Sequence, residues 1–139
     1  MCGEEHGSFK SYMDYRCITS KTSAQYKLIY SDEIVVGSDG LLYCGEYVGV
    51  ALGSKYGNIG DKFIITLDTG KEFKAIKVDA KADAHTYYGC HHRTDASVVE
   101  FVIDTDRARD NYSLALKMGS FDYVDAFKGV VVKIEKVVS

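Results

Sequence analysis

Apolar and polar positions alternate with a period close to two over most of this chain. β-branched or aromatic runs at residues 24–30, 41–44, 47–52, 62–67, 72–78, 97–103 and 130–138 are separated by Gly or Asp, which predicts about seven short strands. Asp68-Thr-Gly70 joins the fourth run to the fifth with glycine at its end, the chemistry of a bulged hairpin, so these two runs are expected to pair antiparallel. One helix is predicted from Thr105 or Asp106 to about Met118: an aspartate stands at its start, Ala108, Leu114, Ala115 and Met118 are helically spaced, and Gly119 follows as a stop. Many short strands with few helices favour a closed or nearly closed barrel, because an open sheet leaves two edges free to pair. The expected fold is therefore mainly β, a single small barrel of six to seven strands with one short helix in the C-terminal half. Residues 1–8 read as a flexible tail and residues 9–139 as the one domain.

Composition sharpens this picture. The 139 residues contain no proline, where average usage would give about seven. A proline-rich linker, a polyproline II ligand and a tandem-domain hinge are excluded, and a chain whose N–H groups are nearly all needed in ladders is favoured. Glycine, with 13 residues, is the main turn-former, and tyrosine, with 11, the main large aromatic. Seventeen Lys and Arg against 20 Asp and Glu leave a net charge of −3, which argues against bulk electrostatic binding to nucleic acid. No window approaches the length of an apolar membrane span, so no membrane insertion is expected. The N-terminal Met-Cys-Gly-Glu-Glu-His-Gly lacks the basic and apolar regions of a signal peptide. As written the chain is expected in the cytoplasm, with action at the cell wall if it is processed or phage-delivered. Cys2, Cys17, Cys44 and Cys90 are too widely spaced for a two-pair zinc motif and read as mostly free thiols.

The densest polar constellation is Val78-Asp-Ala-Lys-Ala-Asp-Ala-His-Thr86. If it is extended, Asp79, Lys81, Asp83 and His85 share one face with alanines behind them. Neighbouring carboxylates push their pKa values apart, and a lysine or histidine beside them decides which stays ionised, which suits acid/base work. The plain alternative is an edge strand carrying alternating charges against aggregation. Glu100 is the second candidate. By period two it points the same way as Val98, Val102 and Asp104, so it is partly desolvated between valines and suited to donate a proton; the alternative is a solvated outer face. Asp104 reads as a helix N-cap. Cys90-His91-His92 near His85 invites a zinc reading, but adjacent residues in an extended loop diverge and no second spaced pair completes a tetrahedron. No metal and no cofactor are expected. Tyr87 and Tyr88 read as a platform for a flat ligand face such as a sugar ring.

Six segments together resemble a known group: Ser8-Phe-Lys-Ser-Tyr-Met-Asp-Tyr-Arg16, Tyr47-Val-Gly-Val-Ala-Leu-Gly53, Gly60-Asp-Lys-Phe-Ile-Ile-Thr-Leu-Asp68, Gly70-Lys-Glu-Phe-Lys-Ala-Ile-Lys77, Asp79-Ala-Lys-Ala-Asp-Ala-His-Thr86 and Val98-Val-Glu-Phe-Val-Ile-Asp104. They resemble a family of small proteins of Gram-positive bacteria and their phages, related to the double-psi β-barrels of three-aspartate (3D) domains, rare-lipoprotein-A-like proteins and the lytic transglycosylase A barrel. The resemblance implies a barrel of double-psi type. It also matches Val78-Asp79 and Val99-Glu100-Phe101 to the strands from which those enzymes draw a catalytic acid and its partner. Two departures stand out: Asp-Ala-Lys-Ala replaces the glycine turn Asp-Thr-Gly-Gly, and glutamate replaces aspartate at position 100.

By this resemblance the partner is a peptidoglycan glycan strand or another carbohydrate, and the reaction is cleavage of a β-1,4 bond with closure of an anhydro ring. Glu100 is expected as acid/base, Asp79 as its electrostatic partner, Asp83 and His85 as orienting groups, and His85 and Lys81 also as substrate-binding residues. Tyr87 and Tyr88 would bind substrate. Two other readings stand beside it. One is a non-catalytic barrel that binds a glycan or a protein partner, virion-associated or otherwise. The other is an intracellular protein that interferes with host machinery.

Overall fold

The computed structural model describes residues 8–86, 89, 90 and 98–138, so only residue 8 of the expected tail is among them. These residues form eight strands: β1 (Tyr12–Asp14), β2 (Val35–Val36), β3 (Leu42–Cys44), β4 (Tyr47–Leu52), β5 (Lys62–Leu67), β6 (Glu72–Ala80), β7 (Glu100–Ile103) and β8 (Val131–Lys136). Three helices accompany them, α1 (Ala24–Ile29), α2 (Thr105–Asn111) and α3 (Ser113–Met118). The strands make one mixed sheet in the order β1-β7-β4-β6-β5-β8, with β3 on the first half of β4 and β2 on β3. β1 and β7 run parallel, as do β4 and β6, whereas β4 meets β7 antiparallel at Val50 and Ala51.

Local chemistry explains most of these elements. β5 and β6 pair antiparallel through the expected turn, in which the Gly70 amide donates to the Leu67 carbonyl at 3.0 Å and Gly70 has φ 91°. β5 alternates strictly, burying Phe63, Ile65 and Leu67, while β6 alternates only at first and is then buried on both faces from Ala75 to Val78. On one face Phe101 is the centre of an aromatic cluster with Phe121, Phe127 and Phe73 at 4.7, 4.6 and 6.0 Å between ring centroids. The other face carries Leu42, Ala51, Ile76, Val78 and Val102, packed with Ile29 of α1 and Ile34.

Two sequence expectations are corrected. Residues 24–30, expected as a strand, contain α1: the Ser23 hydroxyl caps it by accepting from the Tyr26 amide at 3.2 Å, and Ala, Gln, Lys and Leu outweigh the two tyrosines as helix formers. The single C-terminal helix is two. Its expected ends hold, with the Asp104 carboxylate capping the start and Gly119 left-handed at the close, but Tyr112 leaves helical geometry while its hydroxyl donates to Asp39 at 3.1 Å.

The fold is mainly β, as expected, but the sheet path ends openly at β1 and β8, so closure into the expected barrel of six to seven strands is not shown among the described residues. The chain between α3 and β8 bridges the two ends instead. The Phe121 amide donates to the Lys10 carbonyl beside β1, and the Lys10 amide donates to the Ser120 hydroxyl. Lys10 itself is fully buried, and its ammonium donates to the carbonyls of Ser8 and Gly129 and to Asp122 at 3.1 Å. Burial pulls this lysine down from its ordinary value against the pull of Asp122. Among the described residues no helix is long and apolar enough to cross a membrane. Cys17 and Cys44 are free thiols, whereas Cys90 is disulfide-bonded.

Lys10 is thus the tie across the open side. Lys10→Met should cost about 3 kcal/mol in urea denaturation, because it removes the cation paired with Asp122 and the donor to two carbonyls. Lys21→Met, at an exposed position, should stay within about 0.5 kcal/mol of wild type; equal effects of the two changes would contradict this role.

Candidate active site

The site is a row across the sheet. Ala51 of β4 is in register with Asp79 of β6 on one side and with Glu100 of β7 on the other. The register between β4 and β6 shifts between Val50 and Ala51, so β6 carries Val78 as an extra residue, and the bulge turns Asp79 toward the α1 face. Across this row Asp79 and Glu100 are two strand spacings apart at the backbone, about 9.5 Å. Between them Ala51 contributes only a methyl group, so no larger side chain separates the carboxyl groups.

Each carboxyl group has a neutral donor from a flanking element. Gln25 of α1 donates through Nε2 to Asp79 at 3.2 Å. Ser11, just before β1, is brought opposite Glu100 by the Phe101 amide donating to its carbonyl, and its hydroxyl donates to Glu100 at 2.9 Å. Both acids are half-buried. Burial pushes the Asp79 carboxyl above its ordinary value; the Gln25 and Ala80 donors oppose this, and the charge of Glu100 adds to it. Behind the row lies Lys77, 2% exposed, whose ammonium donates to the carbonyls of Gly53 and Gly57 at 3.0 Å each and so fixes the loop after β4. Gly53 is required there, since a Cβ would lie 2.0 Å from the Gly89 carbonyl oxygen.

Of the residues singled out in the sequence, Asp79 and Glu100 are brought together. Asp83 and Lys81 do not share a face with Asp79 as expected, because the extended stretch ends at Ala80 and residues Asp83–His85 form a 3-10 turn. Interspersed alanines favour that turn over a strand, and the Thr86 amide and hydroxyl close it on the Asp83 carbonyl. The Asp83 carboxylate, exposed, accepts instead from the Ser54 hydroxyl at 2.7 Å, and Lys81 is nearly buried. The His85 side chain, Tyr87, Tyr88, His91 and His92 lie outside the described residues. Among the described residues no group of three or more His, Cys, Asp or Glu side chains is placed to hold a metal ion. The alternation expected along β7 holds from Glu100 onward, with Phe101 and Ile103 in the larger core and Val102 facing α1.

No family model, curated protein or solved structure matches the chain. The reading of the site therefore stands on its geometry. Sequence inspection missed Ser11 and Gln25. Gln25 lies in the segment misread as a strand, where the Ser23 cap was the available signal; nothing in the sequence marks Ser11.

The raised Asp79 pKa has a thermodynamic consequence with a definite sign. The folded protein holds this proton to higher pH than the unfolded chain does, so the contribution is complete below the ordinary aspartate value near ~3.9 and is lost as pH rises through the folded value. Asp79→Asn should remove that loss: the stability of the variant minus that of wild type should rise across this window, measured by urea denaturation at several pH values. A difference independent of pH would show that Asp79 is not perturbed.

Proposed function

We propose that the chain is a peptidoglycan-directed protein of double-psi type that cleaves glycan strands with the Asp79–Glu100 pair. The observation that carries this reading is the Ala51 row, where an aspartate with a raised pKa faces a glutamate across a methyl group. A spacing of about 9.5 Å at the backbone, before either side chain leans inward, is compatible with carboxyl pairs that act on glycosidic bonds. The double-psi reading is supported by the run β1-β7-β4-β6, in which two parallel pairs flank one antiparallel contact in an approximate twofold arrangement.

The geometry favours one division of labour. Asp79 is the acid, the reverse of the roles implied by the family resemblance, because burial favours its protonated form. Its proton passes to the glycosidic oxygen as the C1–O4 bond breaks. The resulting carboxylate then takes the proton of the 6-hydroxyl as O6 bonds to C1, so an anhydro ring closes without water and the acid is restored. Glu100, held by the Ser11 hydroxyl, faces the positive charge that develops at C1. Gln25 orients the acid.

A second reading, glycan binding without cleavage, is favoured by the position of the surface hollows. One of about 320 Å³ is lined by residues including Tyr112, Leu114 and Tyr123, and another of about 370 Å³ by Tyr47, Gly60, Asp61, Lys62 and Val137. Neither includes the carboxyl row.

Incubating purified sacculi with the protein and analysing soluble products by mass spectrometry separates the readings. Wild type should release anhydro-muropeptides, with Asp79→Asn and Glu100→Gln each slower by about 10²–10⁴-fold. Equal release by all three would end the assignment, and a wild type that sediments with sacculi but releases nothing would favour the binding module.

A further inference from the structure

The two elements that supply a donor to the carboxyl row also supply a tyrosine cluster. α1 carries Gln25 and, next to it, Tyr26, whose ring meets that of Tyr30 at 4.4 Å between centroids. The other element carries Ser11 and, four residues on, Tyr15, whose ring lies 6.1 Å from that of Tyr30. Tyr26 and Tyr30 are one helical turn apart, on the helix flank adjacent to the Gln25 and Ile29 face. By rise along α1, Tyr30 lies about 7.5 Å along the helix axis from Gln25, the residue that donates to Asp79.

Packing does not account for Tyr30. Tyr15 rests against the apolar face under α1 and has the Arg16 guanidinium 5.6 Å from its ring, so it is already engaged. Tyr30 belongs to neither core cluster, is 52% exposed, and touches other aromatic rings only at Tyr15 and Tyr26 among the described residues. A half-exposed ring whose orientation is fixed by two neighbours loses little freedom when a ligand stacks on it.

We propose that Tyr30, braced by Tyr15 and Tyr26, is the stacking platform for a sugar ring of the glycan chain whose neighbouring linkage lies over Asp79 and Glu100. This rests on the glycan reading of the row and extends it to a binding subsite. The occupant is a pyranose: its flat C–H face suits the ring of Tyr30, and its hydroxyl groups suit the phenolic hydroxyl at the ring's edge.

Sedimentation isotherms of the full chain with purified sacculi test the platform, with product release measured in the same tubes. Tyr30→Ala should weaken binding about tenfold and Tyr30→Phe, which keeps the ring, by less than about twofold. Far-ultraviolet circular dichroism would establish that both variants fold, as expected for an exposed position. Wild-type affinity in Tyr30→Ala would overturn the platform, as would a wild type that does not sediment, which would end the glycan reading as well. Binding that depends on Tyr30 without any product release would uphold the platform while ending the cleavage mechanism.

Discussion

The structure depends on β4 being paired on both sides along its length. Parallel β6 runs along one side, and β3 followed by β7 along the other, so residues 48–52 are buried on both faces. A strand so enclosed tolerates only side chains that fit its neighbours. On the α1 face these are Gly49 and Ala51: a Cβ on Gly49 would already stand 3.0 Å from the Leu42 Cβ and 3.3 Å from a Val78 methyl. The same requirement for small residues leaves Ala51 as the gap between Asp79 and Glu100. The polar row is thus a consequence of how the central strand is packed, and the bulge at Val78 completes it by turning Asp79 onto that face.

Several carboxylates outside the row are held by cations. Asp122 is paired with Lys10, Asp61 with Lys136, Glu46 with Lys74, and Asp14 with Arg16, each at 3.1 Å or less. The Arg16 guanidinium and the Thr105 donors hold the Asp14 carboxyl well below the usual carboxylate range. Asp79 and Glu100 receive side-chain hydrogen bonds from an amide and a hydroxyl instead. Neutral donors orient a carboxyl group without fixing its charge as strongly as a cation does. Half-burial then raises the Asp79 carboxyl above its ordinary value.

Much of the sheet was legible in the sequence because its signals are local. The β5–β6 hairpin follows from Asp68-Thr-Gly70, β4 from its apolar run, and the ends of the C-terminal helical segment from Asp104 and Gly119. What was not legible depends on partners distant in the chain. β1 is three residues long and exists through its pairing with β7, some 90 positions away. The open path with its Lys10 tie follows from contacts between residue 10 and residues 120–129. At the site, period two correctly set Glu100 on the Val102 face. The same period, carried past Ala80, wrongly extended β6 into a segment whose alanines favour a tight turn. That Asp79 and Glu100 meet at all is a fact of register, and register is set by β4 rather than by either acidic segment.

Asp79 and Glu100 face each other across Ala51 closely enough for the charge of Glu100 to raise the Asp79 carboxyl. Carboxyl-carbon NMR titration of Asp79 in wild type and in Glu100→Gln measures this directly. Asp79 should titrate above the ordinary aspartate value in wild type, and its midpoint should fall when Glu100 is neutralised, with burial sustaining the remaining shift. An Asp79 midpoint at the ordinary value, or one unmoved by Glu100→Gln, would contradict it.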